Sequence, residues 1–179
     1  INLNRHNAIL NELFDKIGIG LMIHANSYEV LREAVESDVH SLYHLTINSV
    51  KKDTLLSRTI DHIKSSISQY RVYEIDGSIV ACICLDYFKK DNAVEIGSVY
   101  VQPYYNGRGI GRRLVNHACK EASKDGYKMA FILTVHATKF FMEKCGFSSA
   151  KFRDLPSQRQ ISYRKNQRQS HILRKNLYQ

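Results

Sequence analysis

The 179-residue chain contains no run of eighteen apolar residues, so it offers no helix long enough to cross a membrane. Its amino end shows no charged segment followed by an apolar one, which is the pattern of an export signal. Two prolines and nine glycines are too few for a collagen-like or low-complexity chain. Cys82, Cys84, Cys119 and Cys145 form no Cys-x-x-Cys pair, which removes the spacing of a zinc ribbon or a thioredoxin-type centre. We therefore expect free buried thiols, no metal and a cytoplasmic location.

What is present suits one domain with a substantial core: 44% of residues are hydrophobic and 24% charged. The charge is uneven. Of a net +9, the segment from Lys151 to Gln179 carries +7, from eight Lys/Arg against one Asp. Such a tail serves nucleic acid, an acidic surface or an anionic small molecule, and composition does not choose among them. Ile161, Ile172, Leu173 and Leu177 interrupt the run with apolar residues that suit a packed strand. That counts against nucleic acid.

Along the chain, Ala8 to Phe14 reads as a short helix, and Gly18-Ile-Gly20 breaks it before Leu21-Met-Ile23. Tyr28 to Ala34 is a short strand. Ser37 or Asp38 is the expected cap of a helix that buries Val39, Leu42 and Leu45. Ser57 is the expected cap of a second helix, with Ile60, Ile63 and Ile67 at helical spacing. The period then changes. Arg71 to Ile75 and Ile79 to Leu85 flank Asp76-Gly77, a tight-hairpin signal because both turn positions tolerate positive φ. Val94 to Val101 is a strand stopped by Pro103. Ile110 to Ser123 is helical, Met129 to Val135 a buried strand, and Ala137 to Lys144 a helix capped by Gly146. Ser170 to Leu177 is a last strand. The order predicts an α/β (α+β) sandwich around a mixed sheet.

The stretch from Glu95 to Leu114 carries the chemistry: a strand runs into Asn106-Gly-Arg-Gly-Ile-Gly111, which opens a helix. Glycines let backbone approach a ligand, and first-turn N–H groups with the positive end of the helix dipole favour a pyrophosphate. Arg108, Arg112 and Arg113 add charge. The turn follows a hairpin and a further strand, so it is no dinucleotide fingerprint, and a P-loop's Gly-Lys-Ser/Thr is absent. Taken alone, it reads equally well as a helix start that uses glycine for packing.

This turn resembles the acyl-CoA-binding motif of the GNAT superfamily of N-acetyltransferases, with Asn106 in place of the usual Gln or Arg. Ala137-Thr-Lys-Phe-Phe-Met-Glu-Lys-Cys-Gly-Phe147 is similar to the family's helix ending in Gly-Phe. The resemblance implies the GNAT fold, a mixed and mostly antiparallel sheet with helices on both faces. Three segments narrow it to the bacterial N-acetylglutamate synthase branch: Tyr163 through Arg174, Leu55-Leu-Ser-Arg58 with its following helix, and Asn11 through Ile23. The last resembles the end of an amino-acid-kinase fold. Residues 1–26 are thus expected to be the remnant of an upstream domain or linker, and 27–179 the acetyltransferase domain.

The resemblance implies transfer of the acetyl group of acetyl-CoA to the α-amine of L-glutamate, by direct attack in a ternary complex. Other acceptors remain open, namely another amino acid, a polyamine or a peptide amine. It places CoA against Val99, Tyr100, Val101, Asn106, Gly107, Arg108, Gly109, Ile110, Gly111 and Arg112. It places glutamate on Arg58, Arg168 and Ser170, since Arg grips carboxylate in two-pronged fashion. Glu95 falls on the family's base and Thr134 on the hydroxyl that assists the leaving thiolate; Phe141 stands where many relatives carry a Tyr acid. A backbone N–H near Val99 would polarise the acetyl carbonyl. His136, Tyr104 and Tyr105 read as surface or packing residues. Expected partners are the small-molecule acceptor alone, with neither nucleic acid nor membrane, and a homo-oligomer is left open.

Overall fold

The computed structural model describes residues 28–51, 58–165 and 169–177. The Ala8 to Phe14 helix, the 1–26 remnant, the Ser57 cap and Arg168 lie outside the described residues. Seven strands form one sheet: β1 (Glu29–Glu33), β2 (Tyr70–Ile75), β3 (Ser78–Phe88), β4 (Ala93–Val101), β5 (Met129–Thr134), β6 (Ser148–Ser149) and β7 (His171–Asn176). Their order is β1-β2-β3-β4-β5-β7-β6. Every neighbouring pair is antiparallel except β4 and β5. Among the described residues there are five α-helices: α1 (Val39–Lys51), α2 (Ile60–Ser65), α3 (Ile110–Lys124), α4 (Thr138–Cys145) and α5 (Ser157–Lys165).

The β2–β3 hairpin turns where expected, with Asp76 at φ 49° and Gly77 at φ 74°. One sheet face carries the larger core. There Ile110, Leu114, Val115 and Ala118 of α3 pack on Ile83, Leu85, Val94 and Ile96, and Phe141 and Cys145 of α4 join them. The opposite face has two separate cores. Leu42, Leu45 and Ile63 of α1 and α2 cover Tyr70, Val72, Cys82 and Cys84. Leu155, with Phe152 and Tyr163 packed alongside, covers Ala93, Phe131 and Ile172. Helices thus lie on both faces, and a gap separates the two cores of one face.

Three details depart from the sequence reading. The helix at Ile60 is capped by Thr59, whose hydroxyl accepts the His62 N–H at 3.1 Å. Asp38 does not cap α1; it ends the 3₁₀ turn that leads in and accepts the Val35 N–H at 2.8 Å. Arg32 grips the same carboxylate with two N–H groups, at 2.7 and 3.2 Å. Burial opposes ionisation of Asp38, but the Arg32 and Val35 bonds outweigh it and hold its pKa below the ordinary value. Third, β6 and α5 were not foreseen, because β6 has two residues and α5 has no apolar stripe. All four cysteines are free and buried, as expected.

Leu114 is fully buried, whereas Ile161 on α5 is 62% exposed. Leu114→Ala should cost about 2–5 kcal/mol, a lost side chain plus the cavity it leaves. Ile161→Ser should stay within about 0.5 kcal/mol of the parent. Urea unfolding of the two variants checks the contrast, and equal losses would show the core is misassigned.

Candidate functional site

β4 and β5 pair only over Ala93–Glu95 and Met129–Phe131, and beyond that their ladder ends. β5 keeps full pairing with β7 to Thr134, so the opening lies between β4 and β5 alone. Two backbone edges face each other there without a strand partner, and such groups need other partners. β4 adds a bulge at the same place. Cys82 pairs with Tyr100 and Cys84 with Gly97, so Ser98 and Val99 together oppose Ile83. Ser98 takes up the bulge at φ 48°, a left-handed conformation that serine rarely adopts.

A cleft of about 670 Å³ opens at this divergence. Its walls include Arg58, Asp86, Glu95, Ser98, Thr134 and Arg159. Val99, Phe141 and Ser170 also reach it. The family's expected site residues Glu95, Thr134, Val99, Arg58 and Ser170 are therefore brought to one cavity.

Each polar wall residue has a definite setting. Glu95, on β4, is buried rather than on an exposed strand face. Arg159 of α5 holds it two-pronged, with Nε at 2.6 Å and Nη2 at 3.1 Å from the two carboxylate oxygens. Burial pushes the Glu95 carboxyl pKa up, and the Arg159 bonds pull against that without cancelling it. Arg58 precedes α2; its Nε donates to the Ser98 hydroxyl at 3.2 Å, and its guanidinium contacts His62 Nε2. The Thr134 hydroxyl accepts the Ala137 N–H at 3.1 Å, which leaves its own proton free to donate. Ser170 gives its carbonyl to the Tyr163 hydroxyl at 2.8 Å.

The glycine turn lies past the end of β4. Gly107 has φ 80° and Gly109 φ 77°, and a Cβ on either would meet nothing within 4 Å. Backbone geometry therefore demands glycine at both, and space lies in front of them. Gly109 caps α3 with no side-chain oxygen, so the helix's first N–H groups keep their donors for a ligand. Gly111 serves packing instead, since a Cβ there would sit 3.3 Å from the Phe140 ring. Arg108 lies over the Tyr104 and Tyr105 rings, at 5.3 and 5.1 Å from their centroids. Tyr104 is exposed and holds this arginine rather than packing in the core. Asn106 and Arg112 are exposed beside the turn, and Ile110 is buried under it. Tyr100 and Val101 pack into the cores on either sheet face. Arg113 points away to Glu29, at 2.8 Å, and adds less charge to the turn than its sequence position implies.

Arg159, Ser98 and Asp86 were missed. Arg159 sits in a charge run on a helix with no periodic signal, and nothing in a serine's identity announces a positive φ.

Residues 36–147 match the model of the acetyltransferase (GNAT) family. The amino-acid acetyltransferase of Neisseria meningitidis is 31% identical over 171 residues, 96% of this chain and 39% of that protein. That of Pasteurella multocida is 30% identical over 173 residues, 97% of this chain and 39% of that protein. The chain thus spans about two fifths of the length of these relatives. Among solved structures, the N-acetylglutamate synthase of Neisseria gonorrhoeae, complexed with coenzyme A and N-acetylglutamate, superposes with a TM-score of 0.82. It is 31% identical, over 96% of this chain and 40% of that one.

The buried ion pair yields a test. Arg159→Ala should destabilise the protein by about 3 kcal/mol, because Glu95 is left charged without a partner. With its pKa raised further, Glu95 favours the folded state only while protonated, so the loss should be small near pH 4 and grow as pH rises. Adding Glu95→Gln should recover most of it at neutral pH. A loss that ignores pH would refute the assignment.

Proposed function

The chain belongs to the GNAT acetyltransferase family, and from that premise we propose that it transfers the acetyl group of acetyl-CoA to the α-amine of L-glutamate. The carrying observation is the cleft itself, where Arg58, Arg159 and the buried Glu95 converge at the mouth between β4 and β5. Longer relatives that align with nearly all of this chain are amino-acid acetyltransferases, and a solved relative holds coenzyme A and N-acetylglutamate.

The residues present fit a CoA group. Gly107 and Gly109 have open space before them, and the α3 N-terminus offers free donors to a pyrophosphate. Asn106, Arg108, Ile110, Gly111 and Arg112 complete that turn, and the unpaired β4 edge at Val99 to Val101 suits an amide-bearing arm. Bound there, acetyl-CoA supplies the thioester whose acetyl group is transferred.

This chain's own residues do the rest. Arg58 binds an acceptor carboxylate, with Ser170 on the wall of the same cleft and Arg168 added by the family resemblance. Glu95 takes the proton from the acceptor ammonium, because an ammonium has no lone pair with which to attack. Its raised pKa makes it a better base than an exposed glutamate would be. The Val99 N–H, left out of the β3 ladder by the bulge, donates to the carbonyl oxygen as charge develops on it. Thr134 donates its free hydroxyl proton toward the departing sulfur. Four buried free thiols suit a reducing, cytoplasmic setting.

A thiol-release assay with L-glutamate, other amino acids and spermidine tests this reading. Glutamate should be the preferred acceptor, and turnover of spermidine instead would discard it. Arg58→Ala should raise the KM for glutamate about tenfold or more with a smaller change in kcat. Glu95→Gln should lower kcat by about 10²–10⁴. The acid limb of kcat/KM, which rises as Glu95 loses its proton, should lie above the ordinary carboxylate range and vanish in that variant.

A further inference from the structure

We propose that Asp86 receives the ammonium of the acceptor amino acid and makes the site selective for an amine-bearing substrate over its deaminated analogue. This rests on the reading of the cleft as an amino-acid site and adds a residue to it.

In the β3–β4 ladder Asp86 stands directly opposite Glu95. Directly opposed residues share a sheet face with their Cβ atoms about 5 Å apart, and like charges so placed repel. For Glu95 the cost is offset by Arg159. That arginine is fully engaged: Nε and Nη2 go to Glu95, and Nη1 donates to the Ser162 hydroxyl at 3.1 Å. No prong remains for Asp86. Arg58 is turned to Ser98 and His62. Asp86 is half-buried in the cleft wall with no hydrogen bond or ion pair among the described residues.

A partly desolvated carboxylate without a cation gains most from a ligand that brings one. The acceptor has two carboxylates and one ammonium. Arg58 answers the first kind of charge, and Asp86 is the unpaired anion available for the second. The placement also serves the reaction. An ammonium held by Asp86 lies against Glu95 across the ladder, so its proton passes to the Glu95 carboxylate and the nitrogen keeps the electron pair. Asp86 orients the amine.

The experiment is calorimetric binding of L-glutamate and of glutarate, the same dicarboxylate without its amine, to the full chain with coenzyme A present. The parent should bind glutamate about tenfold or more tightly than glutarate. Asp86→Asn should lose that preference by weakening glutamate alone, and Asp86→Glu should restore part of it. Asp86→Asn removes a like-charge repulsion, so it should fold at least as well as the parent, and thermal unfolding checks this. Equal weakening of both ligands, or of neither, would overturn the proposal. If the parent binds no glutamate, the acceptor reading fails. The same comparison is then run with the amine the enzyme does acetylate and its deaminated analogue, where the same outcomes decide Asp86's role.

Discussion

The site depends on three paired residues. β4 and β5 hold together from Ala93 to Glu95 and then part, while β5 stays fastened to β7 and β4 to β3. A parallel pair that separates in mid-sheet would leave its backbone groups without partners, which a folded chain rarely tolerates unless a ligand or solvent takes them. The cleft opens at that parting, and the bulge at Ser98 and the turn beyond Val101 lie on and just past the freed stretch of β4. Glu95 is the last residue on β4 before it, so the sheet itself places a carboxylate at the apex of the opening.

Burying that carboxylate creates a charge problem, and its solution links distant parts of the chain. Arg159 comes from a helix 64 residues further on and is held in place by the small core around Leu155 and Tyr163. The gap between the two cores on this sheet face is thus occupied by charge rather than by side-chain packing. Positive groups reach it from both sides: Arg159 pairs with Glu95, and Arg58 turns to Ser98 and His62. A polar seam of this kind contributes little net stability, since desolvation offsets attraction.

Much of this was legible in residue order. Asp76-Gly77 announced its hairpin because two positive φ values in succession need such residues, and the α3 stripe announced itself through its period. The glycine turn and the Gly-Phe helix end gave the family, and the family gave Glu95 and Arg58. The remainder was hidden for physical reasons. Helix α5 is polar throughout and exposes Ile161, so no periodicity marked it, and Arg159 passed as one more tail cation. Asp86 looked like the polar end of a strand, because only the register of β3 on β4 sets it against Glu95. The Thr59 cap lay two residues from the one expected, a displacement that side-chain preference alone cannot resolve.

The buried cysteines bear on how this protein can be studied. Burial pushes the Cys82 thiol up to about 12 and the Cys145 thiol up to about 11, and raises Cys84 and Cys119 as well. Only the thiolate reacts with disulfide reagents. The folded protein is therefore close to silent toward a chromogenic disulfide, so colour in the proposed turnover assay would report released coenzyme A. When the chain unfolds, four thiols become reactive together, which makes the same reagent a clock for loss of the native state.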